Sequence, residues 1–212
     1  MRLLIATTNP GKVREYKSLL AGLDLDLVGL KDVGINVEVE ENGSTYIENA
    51  ELKARSYAAL SGVLTLADDS GLEVDALNGR PGVHSARYAP DSATRIQRML
   101  TEMSNVPVDQ RTARFQCAIV LAWPDGRTQS VTGTCEGLIA REPRGANGFG
   151  FDPIFSPYPA LYQRAGGAPG GLSEYSATMA ELSEDFKNKI SHRAHAAQKA
   201  RAILETMLPE GA

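Results

Sequence analysis

The chain has 212 residues, 42% hydrophobic and 23% charged, with 20 Gly and 11 Pro, enough apolar material to bury a core without crosslinks. Its longest apolar run, residues 117–123, falls far short of the ~20 residues of a membrane-spanning helix, and the start of the chain lacks the apolar stretch of a secretion signal, which predicts the cytoplasm. The net charge of −4, from 22 Lys and Arg against 26 Asp and Glu, argues against a nucleic-acid binder, whose affinity comes largely from neutralising phosphates.

In chain order, residues 2–8 read as a buried strand and residues 11–21 as an amphipathic helix with Val13, Tyr16, Leu19 and Leu20 on one face. Residues 24–30 alternate like a half-exposed strand, and residues 35–39 read as another. Thr45 and Glu48 fit a capping box, and the helix that follows, to Ser61, puts Ile47, Ala50, Ala54, Tyr57 and Ala58 on its core side. Residues 63–68 are a predicted strand with residues 72–75 as its continuation, followed by a Gly- and Pro-containing loop at 78–83. A helix over residues 92–103 turns Ala93, Ile96, Met99 and Leu100 inward. Strands at 112–123 and 128–139 flank Pro124-Asp125-Gly126, a hairpin signal. Residues 156–172, rich in Gly, Pro and Tyr, read as a mobile surface loop, and residues 183–207 as helix with a break near Ser191. The pattern predicts one mixed α/β domain over residues 1–212, with two lobes around a cleft.

Four groups of residues carry candidate chemistry. Thr7-Thr8-Asn9-Pro10-Gly11-Lys12 links a strand to a helix; such a turn presents backbone N–H groups at the positive end of a helix dipole, which suits phosphate, with Lys12 adding charge. The alternative is a plain turn capped by Asn9. Glu38, Glu40 and Glu41, together with Asp68 and Asp69, offer hard oxygens for Mg²⁺ or Mn²⁺; the alternatives are a solvated acidic run and an Asx-type turn. In residues 145–155, Gly148 and Gly150 allow close backbone approach, and Phe149 and Phe151 offer flat faces for stacking; the alternative is that two of the three rings, counting Phe155, are core. Lys187, Ser191, His192 and Arg193 place a capping hydroxyl beside donors. Three histidines, and two cysteines without metal-ligand spacing, argue against zinc.

Taken together, TTNPGKVREY, ENGSTYIENAELKAR, ADDSGLEVDALNGRPGVHSARYA, GFGFDPIF and KNKISHRAHA resemble the Ham1-like noncanonical purine nucleoside triphosphate pyrophosphatases. The likeness runs from about residue 2 to 208; residues 156–172 are longer and more Gly-rich than the family pattern, which resumes at Thr178.

The resemblance implies an elongated mixed α/β sheet with flanking helices and two lobes around a substrate cleft, in a homodimer. It also implies Mg²⁺-dependent hydrolysis of dITP, ITP or XTP to monophosphate and pyrophosphate, with Mn²⁺ as a substitute. By position, Thr7, Thr8, Asn9, Pro10, Gly11, Lys12 and Lys53 would bind the triphosphate, and Ser70 would contact substrate. Glu40, Glu41 and Asp69 would hold the metal, with Asp69 acting on the attacking water. Phe149, Gly150, Phe151, Asp152, Lys187, His192 and Arg193 would recognise the nucleoside. A 6-keto purine accepts hydrogen bonds where adenine donates, so donors from Arg193 or nearby N–H groups would favour the first.

Overall fold

The computed structural model describes residues 1–164 and 177–208. Among the described residues, six strands form one sheet in the order β2–β1–β3–β4–β5–β6: β1 (Arg2–Ile5), β2 (Asp26–Gly29), β3 (Thr65–Val74), β4 (Thr112–Ala122), β5 (Thr128–Ile139) and β6 (Phe155–Pro157). β1 runs parallel to both β2 and β3, and β6 is antiparallel to β5, so the sheet is mixed. The helices are α1 (Pro10–Leu19), α2 (Tyr46–Ser61), α3 (Ser92–Glu102), α4 (Pro159–Arg164), α5 (Glu184–Ile190) and α6 (His192–Glu205). The chain forms two compact units: Met1–Ser70 with Cys117–Gly133 and the chain from Arg193 onward, and Gly71–Gln116 with Thr134–His192. Neither is a continuous stretch, so neither can be cut out as a simple fragment.

In the first unit the alternation of strand side chains sorts residues into two cores. Leu3, Ile5, Leu66, Cys117, Ile119 and Leu121 pack with Tyr16 of α1, Leu20 just after it, and Ala196, Ala197, Ala200 and Leu204 of α6. Leu4, Ala6, Ala67, Ala118, Val120 and Ala122 pack with Ala50, Ala54, Tyr57 and Ala58 of α2. Burial on both faces explains why these strands read as nearly continuous apolar runs; each such Leu or Ile contributes about 1.5–3 kcal/mol. α2 starts at the predicted capping box: Thr45 Oγ1 accepts from Glu48 N–H at 3.2 Å, and Glu48 Oε2 accepts from Thr45 N–H at 3.1 Å.

Several predicted boundaries change. Ile47 is 41% exposed, because Asn49 and Ala50 take the inward positions of the first turn of α2. Residues 35–39 form no strand; Val39 N–H and Val37 C=O bond the Tyr57 hydroxyl instead. β3 runs unbroken through Asp68, Asp69 and Ser70, where a strand end was expected, because both carboxylates find partners.

The second unit packs around Leu72, Val74, Met99, Met103, Phe115, Cys135, Ile139, Phe151, Ile154 and Phe155. Arg111 is 2% exposed in it, donating to the carbonyls of Met103, Ile139 and Ala140 at 2.6, 2.7 and 3.0 Å. Ala93, predicted to face inward from α3, is exposed. The predicted loop over 156–172 begins as β6 and α4, and its residues from 165 lie outside the described ones. The predicted break near Ser191 is present: that residue is extended, between α5 and α6. Among the described residues no helix is long and apolar enough to cross a membrane.

Candidate active site

β1 pairs with β3 as far as Ile5 and Leu66, and Ala6 N–H adds a bond to Leu66 O at 2.8 Å. Residues 68–70 lie past that point, in the middle of β3 but beyond the carboxyl end of its parallel neighbour β1, the side on which open α/β sheets leave a crevice. Period-two alternation then divides the two aspartates. Asp68 lies on the face covered by α1 and α6, and Asp69 on the face covered by α2.

Asp68 is 2% exposed. Its Oδ2 receives Lys12 Nζ at 2.9 Å, Arg193 Nη2 at 3.3 Å and Cys117 Sγ at 3.8 Å, while its buried Oδ1 has no hydrogen-bond partner among the described residues. Burial alone would raise its pKa; Lys12, then Arg193 and Lys53, override that and hold the carboxyl far below the usual range. Arg193 also donates to Glu15 at 2.6 Å and to Ser70 Oγ at 2.9 Å. Arg193 was expected at the nucleoside; here its guanidinium is engaged with Glu15, Asp68 and Ser70, a buried network the sequence did not connect.

Asp69 accepts from Asn49 Nδ2 at 3.1 Å and from Ser70 N–H at 2.9 Å. Burial raises its pKa, and Lys53 and Lys12 only partly offset this while Glu41 adds to it. Lys53 Nζ bridges Glu41 Oε1 at 2.6 Å and the Asp68 carbonyl at 2.7 Å. Burial opposes its charge, but Asp68, Asp69 and Glu41 prevail and raise its pKa. Glu41 is half-buried, whereas Glu40 is exposed.

The turn before α1 is the capped one. Asn9 Oδ1 accepts from Gly11 and Lys12 N–H at 2.8 and 3.4 Å, and Thr7 Oγ1 accepts from Asn9 N–H at 3.2 Å. The side chain of Asn9 thus occupies backbone donors that a phosphate was expected to use. Thr8 and Pro10 are exposed, and the Lys12 ammonium is the charge this turn delivers.

The first unit therefore gathers Lys12, Glu41, Lys53, Asp69, Ser70 and Arg193 around β3. Among the described residues no group of three or more His, Cys, Asp and Glu is set to enclose a metal ion. Glu41 and Asp69, from separate elements and flanking Lys53, still suit Mg²⁺, which is typically bound by one or two carboxylates, with water and substrate phosphates completing its shell.

The second unit holds the other expected residues. Lys187 and Asp152, 4% and 3% exposed, pair at 2.7 Å. Asp152 Oδ2 also accepts from Phe149 N–H at 2.9 Å, and Lys187 Nζ lies 4.9 Å from the Phe149 ring centroid. Gly148 and Gly150 turn this segment with φ of +74° and +64°. His192 stacks on Phe115 with centroids 4.7 Å apart and planes at 15°. Phe151 and Phe155 are core residues, as the alternative reading of these rings had it, leaving Phe149 half-buried as the ring on offer.

Glu15, Asn49 and Cys117 are not among the residues singled out from the sequence, and Asp68, expected as a carboxylate for a cation, is paired with Lys12 and Arg193. Glu15 and Asn49 are polar residues amid the apolar stripes of their helices, a signal for buried bonding. Nothing in the spacing marks Cys117.

The Ham1 family model matches residues 3–203. The dITP/XTP pyrophosphatase of Bacillus subtilis (strain 168) is 45% identical over 205 residues, covering 95% of this chain and 96% of that protein. The dITP/XTP pyrophosphatase of Exiguobacterium sibiricum is 46% identical over 213 residues, covering 99% and 100%. The solved Ham1 protein of Staphylococcus aureus superposes with a TM-score of 0.81 at 38% identity, covering 98% of this chain and 100% of that one.

Proposed function

The chain belongs to the Ham1 family, and from that premise we propose that it is a nucleoside triphosphate pyrophosphohydrolase. It cleaves dITP, ITP and XTP to the monophosphate and pyrophosphate, which keeps these nucleotides out of nucleic acids. The relatives whose names carry dITP/XTP pyrophosphatase activity match nearly the full chain. The observation that carries the reading is the meeting of Lys12 and Lys53 with Asp68, Asp69 and Glu41 in one unit, opposed charges suited to a polyphosphate with its cation.

Glu41 and Asp69 are the proposed ligands of Mg²⁺, with Mn²⁺ as a substitute. When bound, the ion offsets phosphate charge and acidifies a nearby water. Asp69, oriented by Asn49 and Ser70 N–H, accepts a proton from the attacking water. The water oxygen bonds to the α-phosphorus, the bond to the α–β bridging oxygen breaks, and pyrophosphate leaves with that electron pair. Lys12 and Lys53 neutralise the leaving group, and Asp68 holds the Lys12 ammonium in place. Phe149 offers its ring to the base, while Lys187 and His192 supply donors to a 6-keto oxygen that adenine lacks. The protein is further proposed to act as a cytoplasmic homodimer, which sedimentation tests directly for the oligomer.

The deciding assay incubates the purified chain with dITP, ITP, XTP, GTP and ATP, with and without Mg²⁺, and identifies the products. Pyrophosphate and monophosphate from the first three, dependent on Mg²⁺, are expected. Orthophosphate release, or equal turnover of ITP and ATP, overturns the reading.

A further inference from the structure

Asn49 is fully buried, at 0% exposure, on a helix face otherwise lined by Ala50, Ala54 and Ala58. Its side-chain oxygen accepts from Gly43 N–H at 2.8 Å, and its side-chain nitrogen donates to Asp69 Oδ2 at 3.1 Å. A backbone N–H only donates, so the amide has one orientation here: oxygen toward Gly43 and nitrogen toward the carboxylate. Gly43 lies two residues beyond Glu41. One side chain therefore ties the strand that carries Asp69 to the segment that carries Glu41.

The approach at Gly43 is close. A Cβ there would stand 2.8 Å from Asn49 Oδ1 and 2.7 Å from Glu48 Cβ, so a side chain at 43 would push the amide away. An apolar residue of similar volume could fill the space of Asn49 but would take this partner from the Gly43 N–H and from Asp69 Oδ2. What only the amide supplies is direction: it fixes the rotation of the Asp69 carboxylate and its spacing from Glu41.

We propose that Asn49 is a positioning residue that sets how tightly Glu41 and Asp69 together hold a divalent cation. This rests on the metal reading given above. The Asn49–Asp69 bond leaves the second Asp69 oxygen, Oδ1, with the local Ser70 N–H as its one hydrogen-bond donor among the described residues, so the amide controls which edge of the carboxylate faces Glu41.

The test titrates Mn²⁺ into the whole protein with the α,β-imido analogue of ITP present, reading free Mn²⁺ by electron paramagnetic resonance. Unaltered protein, Asn49→Leu, Asn49→Ser and Gly43→Ala are compared, with thermal midpoints measured alongside. The variants are expected to bind Mn²⁺ at least tenfold more weakly and to need correspondingly more Mg²⁺ for half-maximal turnover. KM for ITP at saturating Mg²⁺ should stay within about threefold. Should Asn49→Leu fail to fold, Asn49→Ser and Gly43→Ala carry the comparison. Variants that lose thermal stability while keeping Mn²⁺ affinity within twofold would make Asn49 merely structural and overturn the inference. If the unaltered protein itself binds no Mn²⁺, the metal reading fails, and the inference with it.

Discussion

Lys12 and Asp68 meet at 2.9 Å with side chains only 14% and 1% exposed, so the ammonium assigned to the triphosphate is anchored by a carboxylate already committed to Arg193. The depressed pKa of Asp68 gives this anchor a pH signature. A carboxyl whose folded pKa lies below its unfolded value of about 3.9 contributes its full stability above that value and loses it as pH falls toward the folded pKa. Asp68→Asn leaves Lys12 and Arg193 short of a counter-charge and should cost about 3–5 kcal/mol at neutral pH. Its stability should also fall less steeply between about pH 5 and pH 2. Urea unfolding at several pH values measures both, and an unchanged acid slope would dissociate Asp68 from the effect.

Asp69 bears the proton transfer in the proposed reaction, while its packing needs little from its charge. Asp69→Asn keeps the size and an acceptor oxygen for Asn49 Nδ2 but cannot take a proton. Turnover should fall by at least ~10³-fold, as for other groups that act on transition-state charge, with little change in thermal midpoint. Near-normal kcat in Asp69→Asn would remove it from the reaction.

Much of this layout is legible in the chain. The capping box at Thr45, the hairpin at Pro124-Asp125-Gly126 and the break at Ser191 are local signals, and local backbone chemistry decides them. Asp69, Lys12 and Lys53 stand within motifs that carry the family resemblance. Asp68 was visible but read as a strand end, because a buried aspartate in a strand makes sense only once Lys12 and Arg193, 56 residues before and 125 after it, converge on it. Phe149 and Phe151 are alike in sequence; only packing tells which ring the core takes. Arg193 shows the limit most plainly, since its carboxylate partners, Glu15 and Asp68, come from α1 and β3.

Glu40 and Glu41 are adjacent, and sequence alone gives no reason to choose between them. The proposed assignment of Glu41 rests on its place beside Lys53, whose Nζ lies 2.6 Å from it, while Glu40 is exposed. Glu41→Gln should raise the Mg²⁺ concentration for half-maximal turnover by tenfold or more, and Glu40→Gln should leave it within twofold. Activity measured against total Mg²⁺ separates the two, and the reverse ranking would move the metal to the outer carboxylate.

Arg193 and Glu15 form a buried pair at 2.6 Å, with side chains 2% and 8% exposed. Removing the arginine alone takes a buried cation from both Glu15 and Asp68, so Arg193→Leu should be destabilising. Removing Glu15 as well relieves part of that burden. In a double-mutant cycle with Arg193→Leu and Glu15→Leu, the paired change should cost less than the sum of the single ones by about 1–3 kcal/mol. The residue left exposed to the strain is Asp68, which still faces Lys12, so the double variant should remain folded but less stable than the unaltered chain. Additive losses would mean that Glu15 and Arg193 act independently, and Asp68 would then be the main partner that holds the guanidinium.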